Sequence, residues 1–252
     1  MTLELSGWVI AILAALLVGV AKAGIGGLGM LAVVLFAQIM PAKQATGIVL
    51  PLLCIGDIVA VAIYRQHAKW THLWRLFPWT AAGVVAGYFA LDRISERQAR
   101  MLIGGIVLAL VAMHLVRRRL TGHAADHGTW FAPTIGVLAG FTTLVANAAG
   151  PLMAVYLLAM RLPKMDYVGT GAVFFLLLNF FKVPFMMHLG LVNVPSFSLN
   201  LMLLPVVLAG TWLGWRILAR LNQSWFEHLA LGLSALAALE LMFKLSSIVR
   251  LK

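Results

Sequence analysis

The sequence predicts an all-α polytopic membrane protein, with about eight transmembrane segments in two homologous repeats. Three observations carry that expectation. Of 252 residues, 62% are hydrophobic and only 11% charged. A soluble domain of this size is about half apolar and a quarter charged, so too few charged side chains remain here to coat a water-facing surface. The apolar residues fall into runs of the length a bilayer core demands, about 20 per helix. Finally, the two halves of the chain share a spaced pattern of glycine, proline and basic residues.

The apolar runs cover 7–39, 44–64, 73–91, 99–116, 130–160, 167–189, 198–219 and 225–243. Lipid offers no partner to backbone N–H and C=O groups, so helices are their natural form. The alternating pattern of a membrane β-barrel is absent. Six runs fit one crossing each. The first and fifth are about half as long again, and each contains a break. Ala21-Lys22-Ala23 looks superficially like a signal-peptidase site. Residues 1–6, however, carry only Glu4 in place of a basic region, and the apolar pattern runs straight on, so no cleavage is expected.

The repeat shows in ordered matches. At an offset of 127, Pro78, Ala82, Gly83, Gly87, Leu91, Arg93, Leu102 and Gly105 meet Pro205, Ala209, Gly210, Gly214, Leu218, Arg220, Leu229 and Gly232. At an offset of 121, Gly19, Gly29, Val34 and Lys43 meet Gly140, Gly150, Val155 and Lys164. The expected organisation is a first transmembrane repeat over 1–118, a basic linker loop over 119–129 and a second repeat over 130–252. Repeats with matched broken segments point to a secondary transporter whose site lies at the repeat interface. Re-entrant hairpins at the breaks make the repeats inverted; complete crossings make them parallel.

The net charge of +11 would suggest nucleic acid on a soluble protein. Here most Lys and Arg lie in short loops, where they anchor helix ends at anionic headgroups, and no nucleic-acid partner is expected. If the breaks are hairpins, the loops 65–75, 117–127, 161–166 and 216–220 share one side with a modest basic excess, which reads as cytoplasmic. Trp70, Trp74, Trp79, Trp130 and Trp225 read as interface anchors, and His114 and His188 as interfacial. The one cysteine, Cys54, sits in an apolar run and reads as a packing residue.

The first break is Ala21-Lys22-Ala23-Gly24-Ile25-Gly26-Gly27-Leu28-Gly29. Each glycine costs a helix interior about 1 kcal/mol relative to alanine, so Gly24, Gly26 and Gly27 together interrupt the helix. The second is Val145-Ala146-Asn147-Ala148-Ala149-Gly150-Pro151, where Pro151 lacks an N–H and suits the first turn of a new helix. A half-helix starting at mid-membrane presents free N–H groups and a partial positive charge, which suits an anion. Tight helix packing through small residues is the alternative for glycines, and is preferred for Gly83, Gly87, Gly210 and Gly214. Packing does not call for the lysine beside the first break.

In these motifs the chain resembles the sulfite exporter family named after the TauE and SafE proteins. The resemblance rests on Lys22-Ala23-Gly24-Ile25-Gly26-Gly27, on Gly150-Pro151 followed by Tyr156-Leu157, and on Gly83, Gly87 and Arg93. It covers essentially the whole chain. The first motif departs from the commonest triple-glycine form, since Leu28 separates Gly27 from Gly29. The resemblance implies passage of sulfite or small organosulfonates across the cell (inner) membrane by a multi-pass protein.

Ionisable groups inside lipid are functional candidates by default. Lys22, beside the first break, is placed to meet an anion together with the half-helix N-termini; its alternatives are snorkelling or pairing with Asp57. Asp57 lies mid-helix and reads as a charge partner or a coupling group for protons. Its repeat mate at an offset of 122 is Asn179, and Lys182 lies three residues further on, on the same helix face. Asn147 is a candidate donor to sulfonate oxygens. The expected substrate-binding set is therefore Lys22, Gly24, Gly26, Gly27, Asn147, Gly150, Pro151, Asn179 and Lys182, with Asp57 as partner.

No Walker loop, His-Glu-x-x-His or Gly-x-Ser-x-Gly motif is present. The expectation is a non-enzymatic carrier of small sulfur-containing anions, with membrane lipid around it and no cofactor or metal. A carrier for another small anion and a non-transport membrane subunit are the alternatives, and the sequence leaves homodimerisation open.

Overall fold

A computed structural model describes residues 4–22, 28–91 and 129–249 continuously, with scattered positions between 93 and 115. The described residues are helical and contain no strand. Their continuous helices are α1 (Leu5–Ala21), α2 (Leu28–Ile39), α3 (Ala42–Tyr64), α4 (Trp70–Ala90), α5 (Phe131–Ala146), α6 (Ala149–Ala159), α7 (Lys164–His188), α8 (Val194–Arg220) and α9 (Gln223–Val249). A 3-10 turn, Arg65–His67, joins α3 to α4. By length and composition, Gln44–His67, Lys164–His188 and Ser196–Arg220 can each cross a membrane. The fourth apolar run, the arginine-rich linker, His114 and the glycines of the first break (Gly24, Gly26 and Gly27) fall outside the described residues or largely so.

Both long apolar runs are broken in two. α1 and α2 flank the first break, and α5 and α6 the second. The second half-helices are described from Leu28 and from Ala149. Pro151 accordingly sits third in α6, still in the turn that needs no N–H from it. Large apolar side chains cover the outside. Trp70, Trp74, Trp79, Trp130 and Trp225 are all exposed, as interface anchors must be.

Each half packs its first helix against a helix of the other half. A β-carbon on Gly140 (α5) would strike the Thr80 carbonyl and Val84 amide of α4, and one on Gly83 would strike Val137. Across the molecule, a β-carbon on Gly19 (α1) would strike the Val207 carbonyl and Thr211 amide of α8, and one on Gly210 would strike Leu16. These contacts correspond residue for residue at the offsets of 121 and 127. Glycine lets the two backbones touch, which is how helices associate in lipid, where burial from water supplies no drive. Thr80 and Thr211 both stand in these contacts, each hydroxyl donating back to the carbonyl four residues earlier, at 3.0 and 2.9 Å.

The contacts also fix directions. Gly136 meets Leu76 and Thr80, while Gly140 meets Thr80 and Val84, so α4 and α5 run in the same direction. Gly169 meets Tyr64 and Asn179 meets Asp57, so α3 and α7 run oppositely. Gly47 meets Leu191 and Gly56 meets Val207, so α8 runs with α3. The ends are tied by polar groups. Lys164 Nζ donates to the Leu218 and Leu221 carbonyls at the end of α8, a cation at a helix C-terminus. Asn193 and Ser196 form a capping box at its start.

Candidate functional site

The buried polar side chains of the two halves meet at one level, beside both breaks. Lys22 follows the last residue of α1, where its N–H still bonds back to Gly19 O at 3.1 Å. Its ammonium reaches Asp57 Oδ1 of α3 at 2.7 Å and lies 5.1 Å from the centre of the Phe175 ring. The helix can bring Lys22 so close because Gly56 leaves room: a β-carbon there would strike the lysine stem. Asp57 is fully buried, and its Oδ2 accepts from Asn179 Nδ2 of α7 at 2.6 Å. The sequence mates Asp57 and Asn179 thus join α3 to α7 directly.

Lys182, three residues along α7 from Asn179, is also fully buried. Its ammonium donates to Thr143 Oγ1 at 3.1 Å, to Thr143 O at 3.3 Å and to Asn147 Oδ1. All three acceptors are neutral and belong to the end of α5 and the second break. Thr143 O is a last-turn carbonyl that also receives the Asn147 N–H at 2.9 Å, so Lys182 adds a second donor at the end of α5. Asn147 adopts the left-handed conformation at φ 51°, which asparagine tolerates better than most residues. Its Nδ2 donates to Thr46 O of α3 at 3.0 Å. Asn147 therefore has both ends of its amide engaged within the protein, and Lys182 has its three N–H bonds directed at protein oxygens.

Beside this centre lies a cavity of about 40 Å³. It is lined by Lys22 and Asp57 from the first half, and by Gly150, Met153, Tyr167 and Phe175 from the second, among others. Gly150 is in the first turn of α6, whose N-cap, Ala148, has no side chain to bond the first N–H groups. The cavity thus meets a lysine from one break and an open helix N-terminus from the other. A water needs about 10–15 Å³ on this measure, so the space suits about three or four waters or one small oxyanion.

Of the expected site residues, Lys22, Asp57 and Gly150 face the cavity, and Asn179, Lys182 and Asn147 stand around it as supports. Pro151 is buried at the start of α6. Gly24, Gly26 and Gly27 lie outside the described residues. Residue reasoning missed Thr143 and the Thr46 carbonyl. Thr143 had a signal: it is the mate of Lys22 at the offset of 121. A backbone carbonyl has none. Away from the centre, His72 and Tyr156 join α4 to α6 by a 3.2 Å hydrogen bond, and Lys69 pairs with Asp166 at 2.9 Å above the end of α3.

The family model described as "Sulfite exporter TauE/SafE" matches residues 11–241. Searches of curated proteins and of solved structures gave no match.

Proposed function

The chain belongs to the sulfite exporter TauE/SafE family, and we propose that it is a secondary carrier for sulfite or a small organosulfonate, held in the cavity between Lys22 and the start of α6. The family is one of integral membrane transporters of sulfur anions rather than enzymes. The observation that carries the finer reading is a charge count. Lys22 pairs with the one carboxylate of the buried centre, Asp57, while the second buried lysine, Lys182, has only neutral acceptors. Counted as ionised, they leave one positive charge over, and an uncompensated buried charge is strongly disfavoured. A bound anion restores balance, and the open N–H groups of α6 face the same cavity.

The architecture supports a carrier. α3 and α7 are sequence mates and run oppositely, which is the relation of inverted repeats. The short turn after α3 returns α4 in the opposite direction, and α5 runs with α4. α5 and α7 then share a direction, so α6 between them runs back. The second broken segment is accordingly a re-entrant hairpin, and its mate α1–α2 is read the same way. The ends of α1 and α5 that border the two breaks reach the buried centre through Lys22 and Asn147. The basic loops 65–75, 161–166 and 216–220 then lie on one side, read as the cytoplasmic side of the inner membrane. An inside-negative potential favours anion export by about 2.3 kcal/mol per charge per 100 mV.

Sulfite added to purified protein should raise its thermal unfolding midpoint, and Lys22→Ala should abolish that rise. Stabilisation by sulfite of equal size in wild type and Lys22→Ala removes the assigned site. Stabilisation by an unrelated small anion alone transfers the site to that anion.

A further inference from the structure

Outside the charge centre, three buried side-chain atoms among the described residues have no hydrogen-bond partner: Tyr64 Oη and both amide atoms of Asn200. Tyr64 is 2% exposed and Asn200 1%. Native proteins rarely leave buried donors and acceptors unsatisfied, and each such group needs a reason. Their positions supply one. Tyr64 lies seven residues beyond Asp57 on α3, about 10 Å along a helix axis. Asn200 lies seven residues before Val207 on α8, again about 10 Å, and Val207 packs at the level of Gly56, next to Asp57. Because α3 and α8 run in the same direction, the two orphans stand on opposite sides of the centre.

We propose that Tyr64 and Asn200 mark the two halves of the permeation path, each group buried and unpaired in this doubly closed state and hydrated, or bonded to the passing oxyanion, when its own side opens. The inference rests on the carrier reading above. The ligand class is a small oxyanion with its water, for which a phenol O–H and an amide N–H are donors without a competing charge. The Tyr64 side has a visible closure. Gly169 packs against the Tyr64 carbonyl and His67, Lys69 N–H donates to Thr170 Oγ1 at 2.9 Å, and the Lys69–Asp166 pair lies over the same turn. With the basic loops inside, Tyr64 belongs to the cytoplasmic half and Asn200 to the outer half.

The sole cysteine makes the test direct. In a Cys54→Ala background, Tyr64→Cys, Asn200→Cys and the fully buried control Leu52→Cys are reconstituted in proteoliposomes and treated with a membrane-impermeant methanethiosulfonate from either face. Tyr64→Cys should react from one face and Asn200→Cys from the other, each at least tenfold faster than Leu52→Cys. Reaction of both from one face, or at the Leu52→Cys rate, overturns the path. Tyr64→Phe and Asn200→Leu guard against misfolding, since each removes only the orphan polar group. They should raise the unfolding midpoint yet cut sulfite flux tenfold or more. Unchanged flux in both, with active wild type, overturns the path and leaves the carrier reading standing. Two-sided labelling of a protein that moves no sulfur oxyanion supports the path and removes the substrate named above.

Discussion

Asn179 donates a 2.6 Å hydrogen bond to Asp57, and the two residues are 122 positions apart, the offset that makes them sequence mates. Mates that touch must lie where the two halves of the molecule meet. The same carboxylate holds Lys22, so a single buried group joins the first break, the middle of α3 and the middle of α7. Disturbing any member of this trio should be felt in stability and in transport, but differently.

Lys22→Met leaves Asp57 buried without its cation, and breaking a buried pair costs about 3–5 kcal/mol. Lys22→Met combined with Asp57→Asn removes both charges and should recover much of that stability without recovering transport. Thermal unfolding in detergent, read beside flux, checks this. A double variant no more stable than Lys22→Met contradicts the pairing.

Lys182→Met should act locally. It removes a donor from the end of α5 and leaves Asn147 Oδ1 unsatisfied, while Thr143 O keeps the Asn147 N–H; an unsatisfied buried acceptor costs about 1–3 kcal/mol. Amide exchange across 143–150 should speed up while exchange in α8 stays unchanged. Uniform protection would show that Lys182 does not hold the break.

The glycine contacts allow a graded test. Gly140→Ala and Gly19→Ala each drive a β-carbon into backbone, where neither partner can yield cheaply; overpacking of this kind costs about 1–3 kcal/mol or more. Gly171→Ala meets only the tip of Leu157 at 3.7 Å and should be nearly neutral. Equal midpoints for all three variants would refute the close approach of α1 to α8 and α5 to α4.

The Lys69–Asp166 pair is half exposed on the lysine side, and exposed pairs contribute about 0–1 kcal/mol. Asp166→Asn should therefore leave the unfolding midpoint almost unchanged while loosening the turn over Tyr64. Faster labelling of Tyr64→Cys in the Asp166→Asn background, with Asn200→Cys unaffected, is the expected result.

The sequence made the charged members of the site visible, because Lys22, Asp57 and Lys182 interrupt apolar runs where an ionisable group is costly. It also made the two breaks visible, through glycine at one and asparagine with Gly-Pro at the other. The supports were not visible. Lys182 spends its donors on a threonine and an asparagine of another helix, and which carbonyl a lysine meets depends on packing that periodicity does not encode. Asn147 looked like a free donor because the Thr46 carbonyl that engages it leaves no mark in the sequence. Repeat direction was equally hidden: matched residues are compatible with parallel or inverted halves, and only contacts such as Gly169 on Tyr64 decide how α3 and α7 run.

Voltage-driven sulfite flux in proteoliposomes, measured for wild type, Lys22→Ala and a folded control such as Gly232→Ala, where a β-carbon meets open space, tests the anion site at the paired breaks. Flux that follows the imposed potential in wild type and Gly232→Ala, and falls at least tenfold in Lys22→Ala, is the result the buried charge centre requires. Equal voltage-dependent flux in Lys22→Ala and wild type would contradict it.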